Sequence, residues 1–188
     1  VVVHSKFEDK EQEYTWIAKE IRKNIEEDEL DPDDILVIFP NAQNARKHYN
    51  LFVRKLKSIG IQSIMPGVNV DRDTFSRQGC ITCTHIFRAK GNEKPMVYLA
   101  DAEYGCLQSE IVQARNVLFT AITRSRAWIK ITGIGSGMEQ IEQEISKCIK
   151  KDYALEINIP SEQEIKALNL LNRENANKVE KVTKNVER

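Results

Sequence analysis

The sequence predicts an α/β fold, a mostly parallel sheet with helices on both faces, followed by a C-terminal helical extension. Three observations carry that prediction. Short, strongly apolar runs such as Ile35–Phe39 and 96–101 have the length of strands buried on both faces. Segments with apolar residues at three- and four-residue intervals lie between them, as amphipathic helices do. The two kinds of segment alternate along the chain, which favours strand–helix–strand units over a meander.

Taken in order, residues 8–30 place Trp16, Ile17, Ile21 and Ile25 on one face of a helix. Asp31-Pro32-Asp33-Asp34 breaks it, and Ile35–Phe39 follows as a strand. Asn41 is the expected N-cap of a second helix through residue 56, with Ala45, Tyr49, Phe52 and Leu56 inward and Gly60 as its stop. A short strand is expected over 61–65, an exposed connection over 66–78 and a further strand over 79–86, interrupted at 88–93. The strand 96–101 ends in an acid, a helix is expected over 109–126, and Trp128 to Thr132 alternate as a last strand closed by Gly133. A helix over 138–151 completes the domain, placed at 1–152. The polar remainder, 153–188, carries Ile165, Leu168 and Leu171 at helical spacing and reads as a tail helix that frays. No internal repeat is present.

Charge is balanced, with 28 Lys+Arg against 28 Asp+Glu. A stand-alone, high-affinity nucleic-acid module would carry a basic excess; a domain adding a few backbone contacts to a larger channel need not. The apolar runs are too short to span a bilayer, so no membrane association is expected. The chain opens without Met inside an apolar run, as a fragment would, and shows no charged lead-in of a signal peptide. Of the four cysteines, Cys80 and Cys83 have C-x-x-C spacing, but no second pair or nearby His set completes a zinc site. They are expected to be reduced thiols of a cytoplasmic protein, with no metal.

Two segments carry candidate chemistry. The first runs from Thr82 through Thr84, His85 and Phe87 to the turn Ala89-Lys90-Gly91-Asn92-Glu93, ahead of an apolar strand. Turns of this kind sit at strand ends, where open α/β sheets place ligands, although a Lys-Gly turn alone is a common surface feature. The second is an apolar helix ending in Ala121-Ile122-Thr123-Arg124-Ser125-Arg126 immediately before a strand. An arginine there can simply cap the helix, where the backbone dipole favours a cation.

Together, in this order and about 30 residues apart, the segments resemble motifs V and VI of superfamily 1 helicases of the UvrD-like type. The resemblance implies the second, RecA-like motor domain of such an enzyme, in which ATP lies in a cleft between two domains. It implies that Arg124 reaches the γ-phosphate as an arginine finger, a role suited to a planar, permanently charged group. Glu93 would accept from the ribose hydroxyl, with Lys90, Gly91 and Thr123 shaping the nucleotide side. Thr82 or Thr84 would contact the backbone of a single strand without reading sequence. Many members carry His three positions before the motif V Lys, where this chain has Phe87, with His85 two residues earlier; an aromatic at that place either stacks on a base or packs inward. Asn92 stands where Leu is frequent.

No G-x-x-x-x-G-K-[ST] loop occurs, and no Asp-Glu pair ends an apolar strand. The usual NTPase site therefore cannot be assembled from this chain alone. ATP, with Mg²⁺ held by an N-terminal motor domain of the same parent chain, and weakly bound single-stranded nucleic acid are the implied partners. The competing readings are a non-catalytic α/β interaction domain with this architecture and a small nucleotide-binding domain of another α/β superfamily.

Overall fold

The computed structural model describes residues 2–106, 111–151, 161 and 163. The chain divides into two units, Val1–Lys150 and Lys151–Arg188. Apart from Ser161 and Gln163, the expected tail helix lies outside the described residues.

Six strands form one sheet in the order β1-β6-β5-β2-β4-β3, and every pairing is parallel. They are β1 (Val2–Phe7), β2 (Ile35–Phe39), β3 (Ser63–Ile64), β4 (Ile81–His85), β5 (Lys94–Leu99) and β6 (Ser125–Ile134). The α/β class, with a parallel sheet covered on both faces, is the one the sequence predicts. The central strand β2 is buried at all five positions, which is why it reads as an uninterrupted apolar run.

The helices are α1 (Lys10–Glu26), α2 (Ala45–Ser58), the four-residue α3 (Ile86–Ala89), α4 (Ile111–Ile122) and α5 (Gly135–Lys150). One face of the sheet presents Ile35, Val37, Phe39, Met96 and Tyr98 to Tyr14, Ile17 and Ile21 of α1 and to Phe52 and Leu56 of α2. The other presents Leu36, Ile38, Val97, Leu99, Ile129 and Ile131 to Ile86, Val117, Leu118, Met138 and Ile141. Alternation along each strand makes these two cores from one sheet.

The helix limits differ from the sequence reading for identifiable reasons. Asp9 caps α1, its side chain accepting from the Gln12 amide at 2.8 Å, so the helix starts at Lys10 rather than residue 8. Asn41 does cap, but it caps a turn: its Oδ1 accepts from the amides of Gln43 and Asn44, and α2 begins only at Ala45. The unanticipated elements are β1, α3 and short 3-10 turns at Pro32–Asp34 and Ala102–Cys106. Among the described residues no helix is long and apolar enough to cross a membrane.

Candidate functional site

Because all strands are parallel, the sheet has an amino edge, where strands begin, and a carboxyl edge, where they end. The turn 90–93 and the end of α4 both lie at the amino edge, since they lead directly into β5 and β6. The turn thus sits at a strand end, on the edge opposite the carboxyl ends where open α/β sheets commonly place ligands.

At the amino edge the backbone of β5 and β6 is joined by the Lys94 amide, which donates to the Arg124 carbonyl at 3.1 Å. The Arg124 guanidinium lies 3.7 Å from Glu93 Oε1, so two residues 31 positions apart form one surface feature. The same side chain donates through Nε to the Thr120 carbonyl at 3.1 Å and through Nη2 to Thr123 Oγ1 at 3.1 Å. Thr123 Oγ1 in turn donates to the Thr120 carbonyl, so the last turn of α4 holds the arginine. Gly91 has φ +85°, a left-handed conformation that glycine adopts without the strain of a Cβ, and Lys90 beside it is exposed. Asn92 closes the turn: its amide donates to the Ala89 carbonyl and its side chain to the Arg88 carbonyl, giving a local reason for a polar residue there.

At the carboxyl edge the expected strand contacts are placed differently. Thr82 and Thr84 are fully buried. Thr82 Oγ1 donates to the Phe75 carbonyl at 2.9 Å, under the 66–80 connection, and Thr84 Oγ1 turns to the His85 carbonyl. Alternation in β4 directs both hydroxyls away from solvent, so neither offers the phosphodiester contact read from the sequence. His85 and Phe87 are the accessible pair, with ring centroids 6.1 Å apart in an edge-on arrangement. Phe87 is 66% exposed, which excludes the packing alternative for its ring. His85 Nδ1 is buried with no hydrogen-bond partner, and burial together with the nearby Arg88 charge lowers the pKa of the ring.

A family model described as the UvrD-like helicase C-terminal domain matches residues 81–132, the stretch from β4 through most of β6 that carries both edges. That segment is similar to the C-terminal domain of UvrD-like helicases. Among solved structures, the chain is similar to the C-terminal domain of a possible DNA helicase from Lactobacillus plantarum WCFS1, at 18% identity and TM-score 0.49 over 72% of this chain and 73% of that one. It is also similar to the Arterivirus nonstructural protein 10 helicase in complex with DNA, at 15% identity and TM-score 0.38 over 71% of this chain and 28% of that one. No curated protein matches its sequence.

The domain also holds a polar cluster that motif reading did not find. At the carboxyl edge, Lys10 Nζ lies 2.5 Å from Asp101 Oδ1, 2.5 Å from Glu103 Oε1 and 2.9 Å from Glu13 Oε2. Glu13, completely buried, accepts from the Asp101 amide at 2.9 Å and from Thr132 Oγ1 at 2.8 Å. Tyr14 OH donates to Asp101 at 2.9 Å, and His48 Nδ1 stands 2.6 Å from Asp101 Oδ2. Asp101 has φ +56°, a left-handed conformation uncommon for a residue with a side chain. Burial raises the Glu13 pKa, and the Asp101 charge raises it further. Burial acts in the same direction on Asp101, but the His48 hydrogen bond and the Lys10 ammonium outweigh it and hold that carboxyl below its ordinary range. The one sequence signal was the acid ending an apolar strand; its partners come from α1, α2 and β6.

Proposed function

We propose that this domain is the second motor half of an ATP-dependent superfamily 1 helicase, with its amino edge facing nucleotide and its carboxyl edge facing a single strand. The observation that carries the proposal is the meeting of Arg124 and Glu93 at the amino edge of β5 and β6. A guanidinium and a carboxylate placed side by side suit the two ends of a nucleoside triphosphate, phosphate for the first and ribose hydroxyl for the second. Lys90 and Thr123 flank them with an exposed ammonium and a hydroxyl. These residues fit ATP presented by another domain; they do not form a phosphate cradle of their own, and Mg²⁺ belongs with the N-terminal motor domain.

On that reading Arg124 exchanges partners when the cleft closes, giving up the Glu93 carboxylate and Thr120 carbonyl for phosphate oxygens. Its side chain is about five-sixths buried before that exchange, with 16% exposure, so α4 and the turn restrict its orientation in advance. At the other edge Phe87 offers a face on which a base can stack, and nothing there reads sequence. The substrate is therefore a single strand bound without strong base preference, and hydrolysis drives movement along it.

A second reading has its own observation. Arg124 Nε bonds the Thr120 carbonyl, as a residue that only caps α4 would. Steady-state ATPase of the intact parent protein separates the two. Arginine fingers contribute about 10³ to 10⁵ in rate, so Arg124→Ala and Arg124→Lys should each abolish most turnover. Thermal melts should change little, because a helix-end cation contributes about 1 kcal/mol or less. Exposed Arg126 is the control, and Arg126→Ala should remain active. Near-normal turnover in Arg124→Ala, or loss only through unfolding, would leave capping as the arginine's role.

A further inference from the structure

Beside the amino edge, on the face covered by α1 and α2, a cavity of about 300 Å³ opens between the end of α1 and strands β5 and β6. Its apolar walls include Leu30, Met96 and Trp128, and its polar lining includes Asn24, Asp28 and Lys130. A volume near 300 Å³ lies at the small end of ligand pockets, enough for one bicyclic ring. The local backbone is shaped to present Trp128. Lys94 pairs with Ser125, but Met96 pairs with Trp128, so β6 carries one extra residue between them. Such a bulge re-aims the following side chain, and here it brings Trp128 into register with Met96. Trp128 remains 46% exposed, an aromatic wall without a full complement of neighbours.

The polar atoms narrow the ligand. Lys130 is occupied: its ammonium lies 2.5 Å from Glu20 Oε2 and 5.6 to 5.8 Å from the Tyr98 and Trp16 ring centres. It is poorly placed to receive an anion. Asn24 is oriented from both ends, its Oδ1 accepting from Tyr98 OH and its Nδ2 donating to Asp28 Oδ2 at 2.8 Å. That bond fixes Asp28, whose carboxylate pairs with no cation among the described residues and keeps acceptor capacity. The cavity thus combines an aromatic wall, an apolar wall and an anchored carboxylate. A phosphate is disfavoured there, and a flat ring with adjacent N–H donors is favoured.

We propose that this cavity binds a purine base with adjacent N–H donors, guanine above all, its ring against Trp128 and its donor edge on Asp28. The base of a free guanine nucleotide and an unstacked guanine in a single strand share that chemistry. The proposal is independent of the ATP reading, because Arg124 leaves the end of α4 on the opposite face of the sheet. Bases are commonly read in this manner, by stacking against side chains and hydrogen bonds to one edge.

Trp16 and Trp128 are the two tryptophans, so Trp16→Phe leaves Trp128 as the reporter in the full 188-residue chain. In that background guanosine should quench fluorescence saturably and adenosine at least about tenfold more weakly, the discrimination of one bidentate base contact. Asp28→Asn should lose about tenfold or more for guanosine, with little change in the melting curve, since Asp28 is exposed. Trp128→Leu, followed by NMR shifts of Asn24 and Met96, should remove binding without unfolding. Guanosine monophosphate and an oligothymidylate bearing one central dG then distinguish the sources, the tighter ligand naming the natural one. Absence of saturable guanosine binding, equal affinity for adenosine, or undiminished binding by Asp28→Asn overturns the proposal.

Discussion

Lys10 sets one ammonium against the carboxylates of Glu13, Asp101 and Glu103, and through them joins the start of α1 to the end of β5. Removing that charge while leaving the carboxylates is the costly change, because two of the three lie in the interior. Lys10→Met should destabilise the domain by about 3 kcal/mol in urea unfolding, the low end for a broken buried pair, as Lys10 keeps some contact with water. The pH dependence follows from the two opposed shifts. Asp101 has a lowered pKa in the folded state, so it adds stability above its ordinary value of about 3.9 and loses it as pH falls through the lower folded value. Glu13 has a raised pKa, so its contribution has the opposite sign and partly offsets that loss. Thermal melts below about pH 4 should therefore fall on acidification for the wild type and fall less steeply for Asp101→Asn. Equal slopes would show that Asp101 does not carry the acid sensitivity. Little of this residue-level arrangement was legible in advance. The placement of Arg124 on the same sheet edge as residues 90–93 was, because both motifs occur in order about 30 residues apart; their contact was not. The Thr82 and Thr84 contacts were not, because a strand pattern does not say which face a covering loop will close.

At the scale of elements, legibility tracked length and burial. Strand β2 and helices α1 and α2 stood out because their apolar periods are long or uninterrupted. Strand β1 did not: it is a sheet-edge strand, partly exposed, and its partner β6 lies 127 residues away, from Val2 to Ile129. Helix α3 has four residues, too few to show a period, and it was read as an interruption. The packing of α4 against the 3-10 turn Ala102–Cys106 rests on one missing side chain. A Cβ at Gly105 would lie 2.1 Å from Leu118 Cδ1, far inside contact distance. Gly105→Ala should therefore push α4 outward and cost about 1–3 kcal/mol, the usual penalty of overpacking. Denaturant unfolding measures that loss, and Gly105→Ala with Leu118→Ala should regain part of it if the clash is the cause. Because α4 leads into the turn that holds Arg124, on the proposed reading the same displacement should lower ATPase in the intact parent protein.

For the molecule as a whole, the balanced charge and the absence of a phosphate loop set expectations for the isolated chain. It should hydrolyse no measurable ATP, and robust turnover by the pure 188-residue protein would contradict the two-domain reading. It should bind single-stranded nucleic acid weakly, with little sequence preference, and lose affinity as salt rises. Fluorescence anisotropy across a salt series tests this; nanomolar, sequence-specific binding at physiological salt would exclude it. The separation of the two edges has a mechanical consequence. Strand β5 runs six residues from Lys94, beside Glu93, to Leu99, so at ~3.3 Å per residue the sheet is about 17 Å deep between its edges. A stiff plate of that depth works as a lever. Pivoting by about 10° around Arg124 and Glu93, it would sweep the end bearing His85 and Phe87 through about 3 Å, close to the ~3.4 Å rise between successive nucleotides. On the proposed helicase reading, a small closure at the nucleotide edge would carry the strand-facing edge by about one base.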